Sequence, residues 1–557
     1  MTFMSAHATL QNSRPSFVRL TKSTNVILVR SKSPSIRLTK SAFVILVRRK
    51  MWYTRLTKST NVILVRREVT VMMKFYGRFD ELERLESAQQ LPGAKLFVVT
   101  GRRRIGKSTL IEKFGEHHKF YRFMGLPPTR KSTSQDQRDE FARLLSEQLG
   151  LPEFETKDWG KMFSLLGREV LKGEVVILFD EISWMADRDD QFLPKLKSAW
   201  DLYFSKNPKL TLVLCGSVSS WIRRNIMNST GYLGRPTLEI TLEELPLNIC
   251  VNFWGKHPER ISAYEKFKIL SLTGGVPRYL GLIDPKKTAE DNILNLCFIK
   301  DSILSNEFNR IFSDIFGKRS KIYLKIIGTL VNGHHSLDEI LLAIGREKGG
   351  DISDYMSDLQ LAGFIKRDHT WEIKTGMPAK LSRYRLSDNY LRFYLKYVQP
   401  NKAKIEKNLF KNRSISNLPG WESIMGLQFE NMVINNEHLL FKKLGIPIED
   451  IVFANPYYQT QTQRRKGCQI DYLLQTRYNN VYVFEIKFSK NKIGTEVIEE
   501  VQEKINRLKL PRNFSYRPIL IHINGVTSDL ENSEYFSKII NYSDFLITTH
   551  NNGTANN

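Results

Sequence analysis

The chain has 557 residues, with 84 Lys and Arg against 58 Asp and Glu, for a formal net charge of +26. With 41% apolar and 25% charged residues the bulk reads as globular, about three or four domains at ~100–200 residues each, which excludes a wholly disordered or collagen-like chain. Its cysteines (Cys215, Cys250, Cys297, Cys468) lie far apart with no CxxC pair, so a disulfide framework and a zinc finger are excluded, and without an apolar run of about 18 residues a cytoplasmic protein with no membrane contact is expected.

The charge is uneven. Residues 1–74 hold 15 Lys and Arg and a single acidic residue, Glu68. Much of the basicity is thus a property of this stretch and says little about a nucleic-acid partner for the rest. RLTKSTNVILVR begins at Arg19, recurs as RLTKSAFVILVR at Arg37 and returns intact at Arg55, a period of 18 residues. Each unit has one short apolar run with little to pack against, and solenoid caps are missing. Residues 1–72 are therefore expected to be basic repeats from tandem duplication and not a folded domain. A basic tail or a targeting segment are the other readings. The functional protein is expected to begin near Met72; a peptide from residues 5–60 in the native protein, seen by mass spectrometry, would contradict this.

An ATPase core is expected over 73–240. The apolar run Leu96–Val99 reads as a buried strand. It is followed by Gly101-Arg102-Arg103-Arg104-Ile105-Gly106-Lys107-Ser108 and a helix from Thr109 to Phe114. This is GxxxxGK[ST] in its strand–loop–helix context. The glycines let backbone N–H groups curl around phosphate oxygens, and the helix N-terminus adds partial positive charge. Lys107 is placed to reach the β- and γ-phosphates and Ser108 to ligate Mg²⁺, so ATP and Mg²⁺ are the expected cofactors. The run Val175–Phe179 ends in Asp180-Glu181. Asp180 is the candidate for the metal shell and Glu181 the candidate general base, with a plain acidic turn as the bland alternative. Leu210–Cys215 ends in Gly216-Ser217; Ser217 either senses the γ-phosphate or the attacking water, or belongs to a simple turn.

These segments resemble the archaeal-type ATPases, a branch of the AAA+/STAND P-loop NTPases. The resemblance is carried by FYGRFDELERL (75–85), GRRRIGKSTL (101–110), ILFDEISWM (177–185), LVLCGSVSSWI (212–222), GYLGRPT (231–237) and LTGGVPRYL (272–280). It implies that Gly77-Arg78 lie near the adenine side, that Arg235 is a candidate arginine finger and that Arg278 is a sensor arginine at the nucleotide. Residues 101–109, Thr109 included, then form the nucleotide-binding loop. A finger supplied by a second subunit would require an oligomer. Residues 241–317, helical in periodicity, are expected to form a lid.

A winged helix is expected over 318–400. Ile322–Val331 has helical spacing, Ser336-Leu337-Asp338-Glu339 reads as a capped helix start, and Asp351–Ala362 reads as a third helix stopped by Gly363. Segments 364–366 and 369–374 are expected as the wing strands. The third helix carries Asp351, Asp354 and Asp358 and no Lys or Arg, so packing against protein is at least as good a reading as a DNA groove. Arg346, Lys348, Lys366 and Arg367 keep DNA contact open. Tyr390, Phe393, Tyr394 and Tyr397 read as a packing stripe.

Over 401–545 a restriction-endonuclease-like α/β domain is expected. QIDYLL (469–474) and VYVFEIKF (481–488) read as neighbouring strands separated by Asn479-Asn480. Side chains alternate, so Glu485 and Lys487 share one face. Asp471, Glu485 and Lys487 then converge at one sheet end, with Glu430 approaching from a helix. This is the pattern of the PD-(D/E)xK nuclease fold. Asp471, Glu485 and Glu430 are candidate Mg²⁺ ligands, and Lys487 is the candidate catalytic cation. The resemblance extends to this domain, which habitually follows such ATPases. The whole reads as a multidomain α/β ATPase, with DNA or a protein as second partner. The alternative is a nucleotide-dependent switch with an inactive last domain. Residues 546–557 are expected to be a frayed tail.

Overall fold

The computed structural model describes residues 75–128, 131–228, 236–316, 319–410, 414–463, 466–508 and 510–547, together with three short upstream strands. The chain divides into two compact units, Met1–Lys74 and Phe75–Asn557. In the first, β1 (Val18–Arg19) runs antiparallel to β2 (Val26–Val29), which runs parallel to β3 (Phe43–Leu46). The expected tail lies, from residue 548 onward, outside the described residues.

The second unit begins with a five-stranded parallel sheet. β4 (Lys95–Gly101), β5 (Lys119–Met124), β6 (Val175–Asp180), β7 (Leu210–Cys215) and β8 (Leu238–Leu242) are ordered β5-β6-β7-β4-β8. Every residue of β6 and β7 is buried. Their unbroken apolar runs are what a strand covered on both faces needs. Phe141, Trp159 and Phe163 belong to one core, and Leu85, Leu110 and Ile111 to a second. Because all strands run one way, the loops after β4, β6 and β7 meet at one edge, the edge at which open α/β sheets bind ligands.

Past β8 the chain turns helical, through Ala263–Thr273, Pro277–Leu280 and Ile303–Phe316 among others. At the intervening Gly274-Gly275 turn, a Cβ on Gly275 would lie 2.2 Å from the Leu245 carbonyl oxygen. Only glycine allows that approach. It brings Pro277 to 3.9 Å from where a Cβ on Gly106 would stand, against the loop after β4.

Three helices follow, Ser320–Thr329, Leu337–Ile344 and Gly350–Leu361, and then the antiparallel hairpin of β9 (Ile365–Glu372) and β10 (Met377–Leu386). Ser336 and Glu339 form the reciprocal cap that their spacing suggests. The hairpin corrects the sequence reading. Segments 364–366 and 369–374 are not two strands of a wing but largely one, β9, which runs through the polar Arg367-Asp368. Asp368 is buried and sits 3.0 Å from the Arg385 Nε on β10, so a charged pair lies mid-ladder where the sequence suggests a turn. Helix Gly350–Leu361 leans on protein. Asp358 accepts from the Tyr323 hydroxyl at 2.5 Å and lies 3.6 Å from Arg224 of the parallel-sheet region.

The last region holds helices Trp421–Ile434 and Glu496–Leu508 around a second five-stranded sheet. Its strands β11 (Ile451–Gln459), β12 (Cys468–Thr476), β13 (Asn480–Lys487), β14 (Ser515–His522) and β15 (Lys538–Asn541) lie in chain order. The first two pairings are antiparallel and the last two parallel. The hairpin is fastened to this sheet: Trp371 stacks on Phe453 with ring centroids 4.5 Å apart and donates from Nε1 to Gln475.

Candidate functional site

The loop after β4 is shaped by its backbone. Gly101 (φ 138), Arg104 (φ 72) and Gly106 (φ 94) all take positive φ, the alternation that turns successive N–H groups inward into an anion cradle. A Cβ on Gly101 would strike the Leu242 carbonyl oxygen at 2.5 Å. Helix Lys107–Gly115 starts directly at Gly106. Lys107 is buried and donates from Nζ to the carbonyls of Gly101 (3.0 Å) and Arg102 (3.1 Å) and to the Ser217 hydroxyl (2.8 Å). Ser108 Oγ donates to Asp180 Oδ2 at 2.7 Å. The sheet thus brings Lys107 and Ser108 together with Asp180, 72 positions beyond Ser108.

Glu181 stands in the left-handed region at φ 54, a strained position for a non-glycine residue. Its two carboxylate oxygens accept from Ser217, from the backbone N–H at 3.0 Å and from the hydroxyl at 2.7 Å. Ser217 therefore bridges Lys107 and Glu181. Arg122, from β5, donates to Asp180 at 2.8 Å, a partner that sequence spacing does not reveal.

The three loop arginines diverge. Arg102 is buried between Asp388 (2.6 Å) and Glu244 (2.9 Å). Arg103 lies over the Trp184 ring at 5.6 Å. Arg104 pairs with Glu307 at 2.8 Å. The Arg102 and Arg104 guanidiniums are thus committed to protein carboxylates, and what these residues offer a phosphate is backbone. Ile105 is buried beneath the loop. Thr109 follows in the first turn of the helix. Arg78 reaches the loop from behind, donating to the carbonyls of Ile105 (3.2 Å) and Glu243 (2.6 Å). Arg278 is exposed and follows Pro277 beside the loop. Arg235 lies outside the described residues.

A family model described as "ATPase domain predominantly from Archaea" matches residues 75–283. Over this segment the chain is similar to an archaeal-type ATPase domain. An uncharacterized protein of Methanocaldococcus jannaschii is 25% identical over 360 residues, covering 64% of this chain and 76% of that one. Two solved structures are also similar. The Walker-type ATPase of Pyrococcus abyssi is 15% identical, covers 58% of this chain and 96% of its own, and has a TM-score of 0.39. The ORC2 protein of Aeropyrum pernix, in ADPNP–ADP complexes, is 13% identical, covers 59% and 96%, and has a TM-score of 0.34.

Beyond the ATPase domain, β12 and β13 hold a second polar cluster. Asp471 Oδ2 accepts from the Ile486 N–H at 2.9 Å, which ties the strand carrying Asp471 to the one carrying Glu485. The lysine that meets these carboxylates is Lys504, from helix Glu496–Leu508. Its ammonium pairs with Glu485 and lies 3.5 Å from Asp471. Lys487 instead pairs with Glu500. Glu430, on helix Trp421–Ile434, faces His334 at 3.8 Å. Burial, and then the charge of Asp471, pushes Glu430 up to about 8 and Glu485 up to about 7. Burial opposes the Lys504 charge, but Asp471 and Glu485 hold its pKa above the ordinary lysine value. Burial drives His334 down to about 3, aided by Arg385 and Arg392. Among the described residues, no three His, Cys, Asp or Glu side chains are gathered into a set that holds a metal. Also among them, no helix is long and apolar enough to cross a membrane.

Proposed function

We propose that the ATPase domain binds ATP with Mg²⁺ and hydrolyses it, and that this turnover controls a nuclease-like, DNA-processing region over 401–545. The observation that carries the reading is the 2.7 Å contact of Ser108 with Asp180 at the foot of the cradle. A hydroxyl and a carboxylate oxygen at this spacing are the hard donors Mg²⁺ prefers. The residues present therefore fit the ion. When bound, Mg²⁺ supplies positive charge against the β- and γ-phosphate oxygens.

The chain's own residues do the rest. Backbone N–H groups from 101–108 bind the phosphates. Lys107 exchanges its two carbonyl partners for phosphate oxygens. Its move leaves the Ser217 hydroxyl without that donor, and Ser217 then adjusts its hold on Glu181. Aimed by Ser217, Glu181 orients a water and accepts its proton. Arg278 and Arg235 are proposed to sense or complete the phosphate charge, Arg235 in an oligomer if it comes from a second subunit. Asp471, Glu485 and Lys487 are proposed as the phosphodiester-cleaving group, with Glu430 beside them and Lys504 as an additional cation.

One observation favours a second reading, a nucleotide-dependent switch with an inactive last domain: Lys504 occupies both carboxylates. Nicking of DNA with Mg²⁺ or Mn²⁺, with and without ATP, separates the two. The first reading expects nicking by the wild type and its loss in Glu485→Ala. No nicking on duplex, single-stranded or branched DNA favours the switch.

A further inference from the structure

A cavity of about 530 Å³ opens between the β10 strand of the hairpin and the last sheet. Among the described residues, three cations line it, Arg383 from β10 and Lys504 and Arg507 from helix Glu496–Leu508, and no carboxylate does. Gln461 and Gln469 add exposed amides, and Tyr458 forms part of the wall. Each cation already has a partner in the fold. Arg383 lies over the Tyr458 ring at 5.3 Å and sits 3.5 Å from Glu339. Arg507 pairs with Glu503 one turn away. Lys504 reaches past the cavity to Glu485 and Asp471. Arg507 Nε is enclosed yet, among the described residues, meets no hydrogen-bond acceptor, and an enclosed guanidinium N–H without a partner costs free energy until an acceptor arrives.

We infer that this cavity is a phosphodiester subsite that grips a nucleic-acid backbone and delivers it to Asp471 and Glu485 through Lys504. Three cations and three amides, those of Gln459, Gln461 and Gln469, around a space of this size form a site for a polyanion, not for an apolar ligand. Continuity with the carboxylate pair favours a polymer over a free phosphate compound. A backbone lying across Arg383 and Arg507 places its next linkage beside Lys504, a lining residue that also touches the carboxylates. The cavity also takes one wall from the hairpin and the others from the last sheet and helix Glu496–Leu508, so a bound strand touches both regions. The inference rests on the nuclease-like reading, deepens it with a backbone-binding element, and is tested by binding alone.

The test is fluorescence anisotropy of the full-length protein with a labelled oligonucleotide, in EDTA so that no cleavage intervenes, over a salt series. The double substitution Arg383→Gln/Arg507→Gln is expected to bind about tenfold more weakly, with a salt slope shallower by about 2, since each phosphate contact contributes ~0.7–0.9. Arg383→Lys/Arg507→Lys is expected to keep most of the affinity, and inorganic pyrophosphate at equal phosphate concentration to compete poorly. ATP binding stays intact in the same samples. The single Arg507→Gln, on a helix face, gives half the slope change if the double variant melts early. Wild-type affinity and slope in both Gln variants, no binding by the wild type, or efficient displacement by pyrophosphate would each overturn the subsite. Loss of binding in the variants with no nicking by the wild type would instead remove the cleavage reading and leave the subsite standing.

Discussion

At the residue scale the account turns on Ser217, whose hydroxyl takes a hydrogen bond from Lys107 and gives one to Glu181. Ser217→Ala removes both and leaves the phosphate-binding backbone alone. Phosphate release is expected to slow about tenfold, with ATP affinity changed by less than about threefold, because the loss falls on water positioning; equal losses in both would assign Ser217 to binding. Glu430 gives a pH prediction. Its folded pKa, about 8, lies above the ~4.3 of an unfolded glutamate. Between these values the folded chain holds a proton that the unfolded chain has lost, so stability falls as pH rises through that window. In metal-free buffer, Glu430→Gln should gain thermal stability over wild type as pH climbs from about 5 to 9. A difference that does not vary with pH would contradict the buried, proton-holding carboxyl. The sequence made the Lys107, Ser108 and Asp180 set legible because a phosphate loop fixes residue types at fixed spacing. Lys504 was not legible: in EVIEEVQEKINRL it looks like any lysine on a solvated helix face, and only the packing of that helix against the last sheet brings it to Glu485.

At the scale of elements, long apolar runs located the strands well. β7 matches its run end to end, and β6 extends its run by one residue, Asp180. The hairpin was misplaced for a physical reason. Its turn is carried by Thr375-Gly376, while the charged Arg367-Asp368 sits mid-strand, with Asp368 paired to a residue 17 positions away. A buried ion pair overrides the rule that charge marks a turn. The ATPase loop is likewise joined to a distant element by a contact no local pattern announces, Arg102 with Asp388. Asp388 also caps its own helix, accepting from the Leu391 N–H at 2.9 Å. Asp388→Ala leaves Arg102 buried with Glu244 alone and should cost about 3 kcal/mol in urea unfolding, since breaking a buried pair exposes the survivor's desolvation. A cost below about 1 kcal/mol would place the pair on the surface in solution.

At the scale of the whole molecule, one buried cluster runs from Leu245 through Tyr394 and Phe429 to Leu546. It joins the helical region after β8, the hairpin region and the last sheet in a single core. Gln428, fully buried, ties the same parts, donating to the carbonyls of Ser271 (2.7 Å) and Asn389 (2.8 Å) and accepting from Arg392 (3.0 Å). Gln428→Leu strands these groups at a cost of about 2–4 kcal/mol, and residues 245–546 should melt as one cooperative transition followed by hydrogen exchange. Separate protection for 401–546 would contradict a shared core. The loop after β4 joins this core region through Arg102 and Asp388, and the same buried cluster reaches β12 and β13. The proposed function depends on a nucleotide at the cradle. The most direct measurement is calorimetric titration of ATP with Mg²⁺ into the wild type and Lys107→Ala. One saturable site in the wild type, weakened at least about a hundredfold (~3 kcal/mol) in the variant, is the predicted result. Equal affinity in the two proteins would contradict it.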